Sequence, residues 1–75
     1  MLLTAVITEA EEGGFVAYNP ETGTTTQGEN YQEALQHLKE ATSLYLAEFP
    51  MAISNHPVMT TFEVSHASVS GFVWR

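Results

Sequence analysis

The chain has 75 residues and a mass of 8.3 kDa, which suits one small domain and excludes a second hydrophobic core. It contains no cysteine, so disulfides and cysteine metal sites are excluded. Two basic residues against nine acidic ones, all of them Glu, give a formal net charge of −7, which argues against binding nucleic acid or an anionic membrane. A core this small usually needs further support, and we expect self-association to supply it.

The opening residues, Met1 to Thr4, carry no basic side chain and no long apolar run. No stretch of the sequence reaches the ~20 apolar residues that a membrane-spanning helix needs. We therefore expect a cytoplasmic protein without a targeting segment.

Three strands are predicted before the helix. Leu2–Glu9 has apolar side chains on both faces, which is typical of a strand that is covered on both sides or lies at an oligomer contact. Gly13–Gly14 supplies the positive φ angles of a tight hairpin, so Phe15–Tyr18 should return antiparallel to the first strand. The turn at 19–23 then leads to Thr24–Gln27, a short and exposed third strand.

A long helix follows. Asn30 is a favoured N-cap residue, and Glu33 stands three positions later, as a capping box requires. An apolar stripe with the helical period runs from there until Pro50 ends the helix. The stripe consists of Tyr31, Ala34, Leu35, Leu38, Ala41, Thr42, Tyr45, Leu46 and Phe49.

Thr60–His66 alternates with period two and predicts a fourth strand, with Phe62 and Val64 facing inward. The order is therefore β-β-β-α-β: one α+β domain over residues 1–75, with one helix on one face of a small mixed or antiparallel sheet. One helix cannot cover two faces, so the other face should be polar or buried by another chain.

The end of the chain is an apolar cluster, which either packs as a fifth strand or anchors a second chain, since Trp is enriched at interface hot spots. The candidate oligomer interface consists of His66, Phe72, Val73 and Trp74.

No catalytic pattern stands out. His37, His56 and His66 are far apart in sequence, and no serine lies in a nucleophile elbow. We expect isolated histidines, with His37 within reach of Glu33 one helical turn away. The acidic residues of the first hairpin form either a solvated turn or a contact for a basic partner.

Two runs of the sequence, Gly14–Glu21 and Thr26–Leu35, resemble the HicB-type antitoxin family. The second run, TQGENYQEAL, is similar to the family's T-Q-G-x-T/S-x-E-E-A-L run, and Leu38–Leu46 continues the likeness along the helix. The resemblance implies a partial ribonuclease-H-like fold of the order β-β-β-α-β. It also implies an oligomer that binds and neutralises a small basic toxin, HicA, which cuts messenger RNA.

Many members of this family also carry a C-terminal DNA-binding segment. Here only Ala67–Arg75 follows the predicted fourth strand, which is too short for such a module, so we expect no repression of an operon by this chain alone. The family's Pro-x-x-Pro-Gly-Cys turn is altered as well, reading Pro-Glu-Thr-Gly-Thr-Thr over 20–25.

The ribonuclease-H likeness does not extend to catalysis. That chemistry holds two metal ions with several carboxylates, mostly Asp, and the chain has no Asp. Glu9, Glu33 or Glu40, and Glu63 are the available substitutes, and Glu33 is already assigned to the capping box. We therefore predict a protein that is not an enzyme and needs no cofactor or metal.

The first hypothesis for function is an antitoxin-like protein that occludes a basic HicA-type ribonuclease through complementary charge. The residues predicted to face the toxin are Glu9, Glu11, Glu12, Tyr18, Glu21 and Glu29. The second hypothesis is a stand-alone homodimer or tetramer with a ligand-binding or scaffolding role and no toxin partner.

Overall fold

The computed structural model describes residues 1–53 and 55–65. Three strands, β1 (Val6–Glu9), β2 (Phe15–Asn19) and β3 (Thr24–Gly28), precede one helix, α1 (Tyr31–Glu48). The strands form an antiparallel sheet in the order β1-β2-β3, and α1 packs against it. The predicted α+β arrangement is therefore confirmed. The candidate interface residues His66, Phe72, Val73 and Trp74 lie outside the described residues.

The strand register divides the sheet into a face covered by α1 and an open face. Ile7 pairs with Ala17, and Ala17 pairs with Thr26, so these three side chains point towards α1. Ala17 meets Ala34 and Leu38 of the helix in a small buried core. The centre of the predicted helical stripe is thus buried, while its flanks are partly or fully exposed.

The open face of the sheet mixes apolar and polar side chains. Val6, Val16 and Tyr18 form a short apolar row, and Tyr18 is 41% exposed. Threonine and glutamine side chains of β1 and β3 surround this row. Among the elements described for a single copy, none covers this face.

Strand β1 is shorter than predicted, because residues 2–5 are not part of it. The register that pairs Val6 with Tyr18 would place Thr4 opposite Pro20, which has no N–H to donate and already belongs to the next turn. Thr4 instead donates its N–H to the Glu21 carboxylate at 2.9 Å.

Two glycines of the first hairpin have the predicted positive φ angles, +105° at Gly13 and +82° at Gly14. Gly28 is required for a different reason. A Cβ atom there would collide with the backbone nitrogen of Ala34 in the first turn of α1. The missing side chain at Gly28 lets the helix lie directly on the end of β3.

The helix begins and ends as predicted. The Asn30 side chain accepts a hydrogen bond from the Glu33 N–H at 2.8 Å, and the Phe49 N–H closes the last turn on the Tyr45 carbonyl before Pro50. The capping box differs in one bond, because Glu33 Oε1 accepts from the Glu29 N–H rather than from that of Asn30. Over residues 1–53 and 55–65, no helix has both the length and the apolar character to cross a bilayer.

The prediction of a fourth strand is wrong for Thr60–Ser65, which hold no regular structure, while His66 lies outside the described residues. Phe62 is 85% and Val64 67% exposed, so neither points into the core. Alternating apolar residues form a strand only when a neighbouring strand completes their hydrogen bonds, and this segment has no such neighbour in the described part of a single copy.

We expect Gly28→Ala to destabilise the fold by about 1–3 kcal/mol, because the added methyl group must push α1 away from β3. The free energy of unfolding in urea measures this effect. Thr25→Ala on the same strand is the control, because Thr25 is exposed and should change stability by less than about 0.5 kcal/mol. Equal stability of the Gly28→Ala and Thr25→Ala proteins would contradict the close approach of the helix.

Candidate functional site

A polar groove of about 500 Å³ lies at the end of the sheet where the first hairpin, the exit of β3 and the start of α1 meet. We call it the acidic groove, because three of its eight lining residues are glutamates. Its lining consists of Glu12, Gly13, Gly14, Gln27, Gly28, Glu29, Glu33 and His37.

The register of the sheet and the glycines together build this groove. Phe15 pairs with Gly28, which brings the hairpin of residues 10–14 beside the end of β3. Gly14 approaches the Gly28 carbonyl so closely that a Cβ atom would lie 2.7 Å from its oxygen. The hairpin glutamates and the first turn of α1 therefore become neighbours although they are far apart in sequence.

The groove concentrates negative charge. Glu12 and Glu29 line the groove and are exposed. The Glu33 carboxylate accepts a hydrogen bond from the Glu29 N–H at 2.6 Å. Lys39 is the one Lys or Arg within the described residues, and it lines an apolar groove elsewhere on the helix. Among the described residues, the lining of the groove contains no Lys or Arg side chain that would offset these carboxylates.

His37 closes the groove on the helix side. Its Nδ1 atom lies 2.6 Å from the Gln27 carbonyl oxygen, so Nδ1 carries the proton and donates it. Nε2 is then left as an acceptor in the neutral ring. The sequence placed His37 within reach of Glu33, but the structure pairs it with the backbone of β3 instead.

A metal site is not formed by these groups. Within residues 1–53 and 55–65, no three His or Glu side chains come together closely enough to hold a metal ion. The carboxylates of the acidic groove can attract a cationic group and accept hydrogen bonds from it.

A second polar cluster, at the opposite end of the sheet, is centred on Glu21. The Glu21 carboxylate accepts from the Thr4 N–H at 2.9 Å, the Thr4 hydroxyl at 2.7 Å and the Asn19 amide at 2.6 Å. His56 Nδ1 lies 2.8 Å from Glu21 Oε2. The cluster ties together the segment before β1, the β2–β3 turn and the chain that follows α1.

Asn19 is the inner member of this cluster and is only 1% exposed. Its amide also donates to the Thr4 carbonyl at 2.7 Å, and its side-chain oxygen accepts from the N–H and hydroxyl of Thr22. In the described part of the chain, every buried side-chain nitrogen and oxygen has a hydrogen-bond partner. The burial of Asn19 is therefore compensated.

The environment of Glu21 changes its ionisation. Burial of the carboxylate, whose side chain is 4% exposed, acts to raise its pKa. The hydrogen bonds from the Thr4 backbone, the Thr4 hydroxyl, His56 and Asn19 outweigh burial and lower the pKa from 4.5 to about 2. Glu21 is thus held as the anion inside the fold.

The structure separates the residues predicted to face a toxin into three places. Glu9 ends β1 at the hairpin end of the sheet, where Glu11, Glu12 and Glu29 also lie. Tyr18 projects from the open face, three residues along β2 from that end. Glu21 lies at the far end of the sheet with its carboxylate turned inward, which gives it a structural role.

Several residues that build these sites gave a weak signal in the sequence. Asn19 read as an ordinary turn residue, although Asn before a turn often bonds the backbone ahead of it, as it does here to Thr22. The partnership of Thr4 and His56 with Glu21 had no signal, because it joins residues 17 and 35 positions apart. From the sequence, Gly28 was expected only to end a strand, and its close contact with the helix was not predicted.

The fold and the groove define a small acidic α+β protein in which one helix covers a three-stranded sheet. Over 49 residues, which are 64% of this chain and 67% of its relative, the chain is 47% identical to a UPF0150 protein of Helicobacter pylori strain J99. The chain therefore belongs to the UPF0150 family. No family model matches it, and no solved structure matches it with significance.

We expect the Glu21 cluster to make folding sensitive to acid. The unfolded chain takes up a proton on Glu21 near pH 4.5 and the folded chain only near pH 2, so protons favour the unfolded state between these values. The stabilisation is complete above about pH 4.5 and is lost as the pH falls through about 2. Urea midpoints measured across this range follow the effect.

The matched variants are Glu21→Gln and Glu48→Gln, the second at an exposed helical position. Glu21→Gln should lower the midpoint at neutral pH and flatten its dependence on pH below 5, about where the Glu21 carboxylate begins to titrate in the unfolded chain. Glu48→Gln should leave both unchanged. If the urea midpoint of Glu21→Gln fell with acid as steeply as that of the wild type, other carboxylates would cause the acid sensitivity.

Proposed function

We propose that this chain is a HicB-like antitoxin that neutralises a small basic mRNA-cleaving toxin by binding and occluding it. The observation that carries the proposal is the acidic groove, where Glu12, Glu29 and Glu33 gather at one end of the sheet with no Lys or Arg beside them in the described residues. The HicB-like run at 26–35 forms the strand end and helix start that build this groove.

Charge complementarity explains how such a groove would act on a ribonuclease. Proteins that bind RNA neutralise its phosphates largely with Lys and Arg side chains. The acidic groove offers carboxylates to the same side chains, and its volume of about 500 Å³ admits the end of an Arg or Lys side chain. A chain of net charge −7 would also be steered towards a basic partner before contact.

In this proposal the chain is a binding protein and not an enzyme. Glu33 anchors the start of α1 by its bond to the Glu29 N–H, and Glu21 is fixed in the opposite cluster. The remaining groove carboxylates, Glu12 and Glu29, need no metal or cofactor to attract a cation. Inhibition would then come from covering the RNA-binding surface of the toxin.

A second function, a homo-oligomeric module with a scaffolding or ligand-binding role, is favoured by a different observation. Large apolar side chains are exposed at both ends of the described chain, among them Leu2 at 77% and Phe62 at 85%. Burial of such side chains against another chain would be favoured by the hydrophobic effect. The two functions are compatible, because the acidic groove and these apolar residues do not overlap.

We expect Glu12→Lys/Glu29→Lys to weaken binding of a HicA-type toxin by at least about tenfold in low salt, because both changes put positive charge at the groove. The partner is a tagged HicA-type protein from the same genome, co-expressed and purified on its tag. Affinity is measured by calorimetry over a series of salt concentrations, together with cleavage of RNA by the toxin.

Glu40→Lys/Glu48→Lys is the matched control, because it changes the net charge equally but on exposed helix positions outside the groove. The control should lose much less affinity than the groove variant. Equal losses of affinity in the two variants would mean that only net charge matters and that the groove is not part of the interface. A wild-type chain that elutes without the toxin, with RNA cleavage unaffected, would overturn the antitoxin proposal.

A further inference from the structure

The segment after His56 departs from the domain as an arm, which we define as Pro57–Ser65. His56 is bonded to Glu21, and the arm begins at the next residue. Its apolar side chains are largely exposed: Val58 at 92%, Phe62 at 85% and Val64 at 67%. The alternation of Phe62 and Val64 with polar residues is the pattern of a strand with one buried face.

The body of the protein offers a complementary surface beside β1. Strand β1 lies at the edge of the sheet, so one side of its backbone has no strand neighbour within the described residues. Helix α1 packs mainly on β3 and β2 and touches β1 least. An apolar groove of about 540 Å³ lies next to the start of β1, between residues 1–5 and the helix residues Leu35, Leu38 and Leu46.

A strand added to the free edge of β1 would meet this groove. If Phe62 and Val64 faced α1, as the side chain of Ile7 does, they would lie over the groove while Thr61 and Glu63 faced the open side. The addition would give the edge backbone of β1 hydrogen-bond partners. It would also bury the side chains that the single copy leaves in water.

The described part of one copy buries little apolar surface of its own. Its fully buried apolar core consists of Ala17, Ala34 and Leu38. A core this small usually needs further support, which a second copy can supply.

We propose that the arm of one copy adds as a strand to the β1 edge of a second copy, with Phe62 and Val64 filling the groove at Leu35, Leu38 and Leu46, so that two copies exchange arms in a dimer. The occupant is a second copy because the chain's own arm, although fixed at His56 beside its own Thr4, leaves Phe62 almost wholly exposed. Exchange of identical arms is a low-cost route to a symmetric dimer.

The first test is the mass of the full chain in solution by light scattering. We expect a mass close to twice 8.3 kDa for the wild type. Phe62→Lys should raise the dimer dissociation constant at least about tenfold, because burying a charge against Leu35, Leu38 and Leu46 is costly. Since Phe62 is exposed in the single copy, its replacement should leave the far-ultraviolet circular dichroism of the domain unchanged. Glu63→Gln, on the opposite side of the arm, should remain dimeric.

The second test uses the absence of natural cysteines to find out which copy receives the arm. Thr8→Cys on the open side of β1 is combined with Thr61→Cys or with Glu63→Cys in one chain, and the purified protein is mildly oxidised at low concentration. Exchange predicts a covalent dimer on a non-reducing gel for at least one combination. Thr8→Cys combined with Glu48→Cys, at the end of α1, is the control for random crosslinking.

Each outcome decides the proposal. A covalent dimer that forms with the arm cysteines and not with the control supports exchange. A crosslinked monomer would overturn it, because the arm would then return to its own β1 edge. A monomeric wild type without any crosslink would overturn docking at β1 altogether, and a dimer that Phe62→Lys leaves intact would place the interface elsewhere.

Discussion

The first turn of α1 lies directly against the end of β3, and this contact determines how the helix packs on the sheet. A helix that packed at the usual distance from a side chain at position 28 would lift Ala34 and Leu38 off the sheet. The core would then lose the two residues that the helix contributes to it. The same contact brings Glu29 and Glu33 beside the hairpin, so one missing Cβ atom determines both the packing and the acidic groove.

Because the core residues are small, polar contacts hold much of the structure in place. Ala17 and Ala34 bury little area, and each buried CH₂ contributes only about 0.8 kcal/mol. At the far end of the sheet the Asn19 and Glu21 side chains connect three segments of the chain through short hydrogen bonds. Because these groups would be costly to leave unpaired, they fix the turn and the start of β1 in one arrangement.

The extent to which the fold was predictable follows the range of the interactions involved. The ends of α1 depend on Asn30, Pro50 and a helical period, all of which are local, and the structure confirms them. The first hairpin depends on Gly13–Gly14 and is likewise confirmed. The shortening of β1 depends on which residue of the turn stands opposite Thr4, and the undocked arm depends on whether a partner strand is present. The local sequence pattern predicts neither the shortening of β1 nor the position of the arm.

The candidate site was predictable in charge but not in shape. The sequence indicated an acidic surface and named Glu12 and Glu29, which the groove brings together, but it could not tell them from Glu21, whose side chain is 4% exposed. What separates these glutamates is the partner that the fold supplies. Glu21 meets Thr4 and Asn19, whereas Glu12 and Glu29 meet open solvent.

The two surfaces of the protein lie on different parts of it, which bears on how the proposals combine. The acidic groove is built by the hairpin, the end of β3 and the start of α1, whereas the apolar groove lies between residues 1–5 and the middle and later turns of α1, and the two share no lining residue. A dimer formed through the β1 edge would therefore leave an acidic groove open on each copy. Two grooves held in one assembly can engage two basic partners, or two sites of one partner, with an avidity that a single groove does not reach.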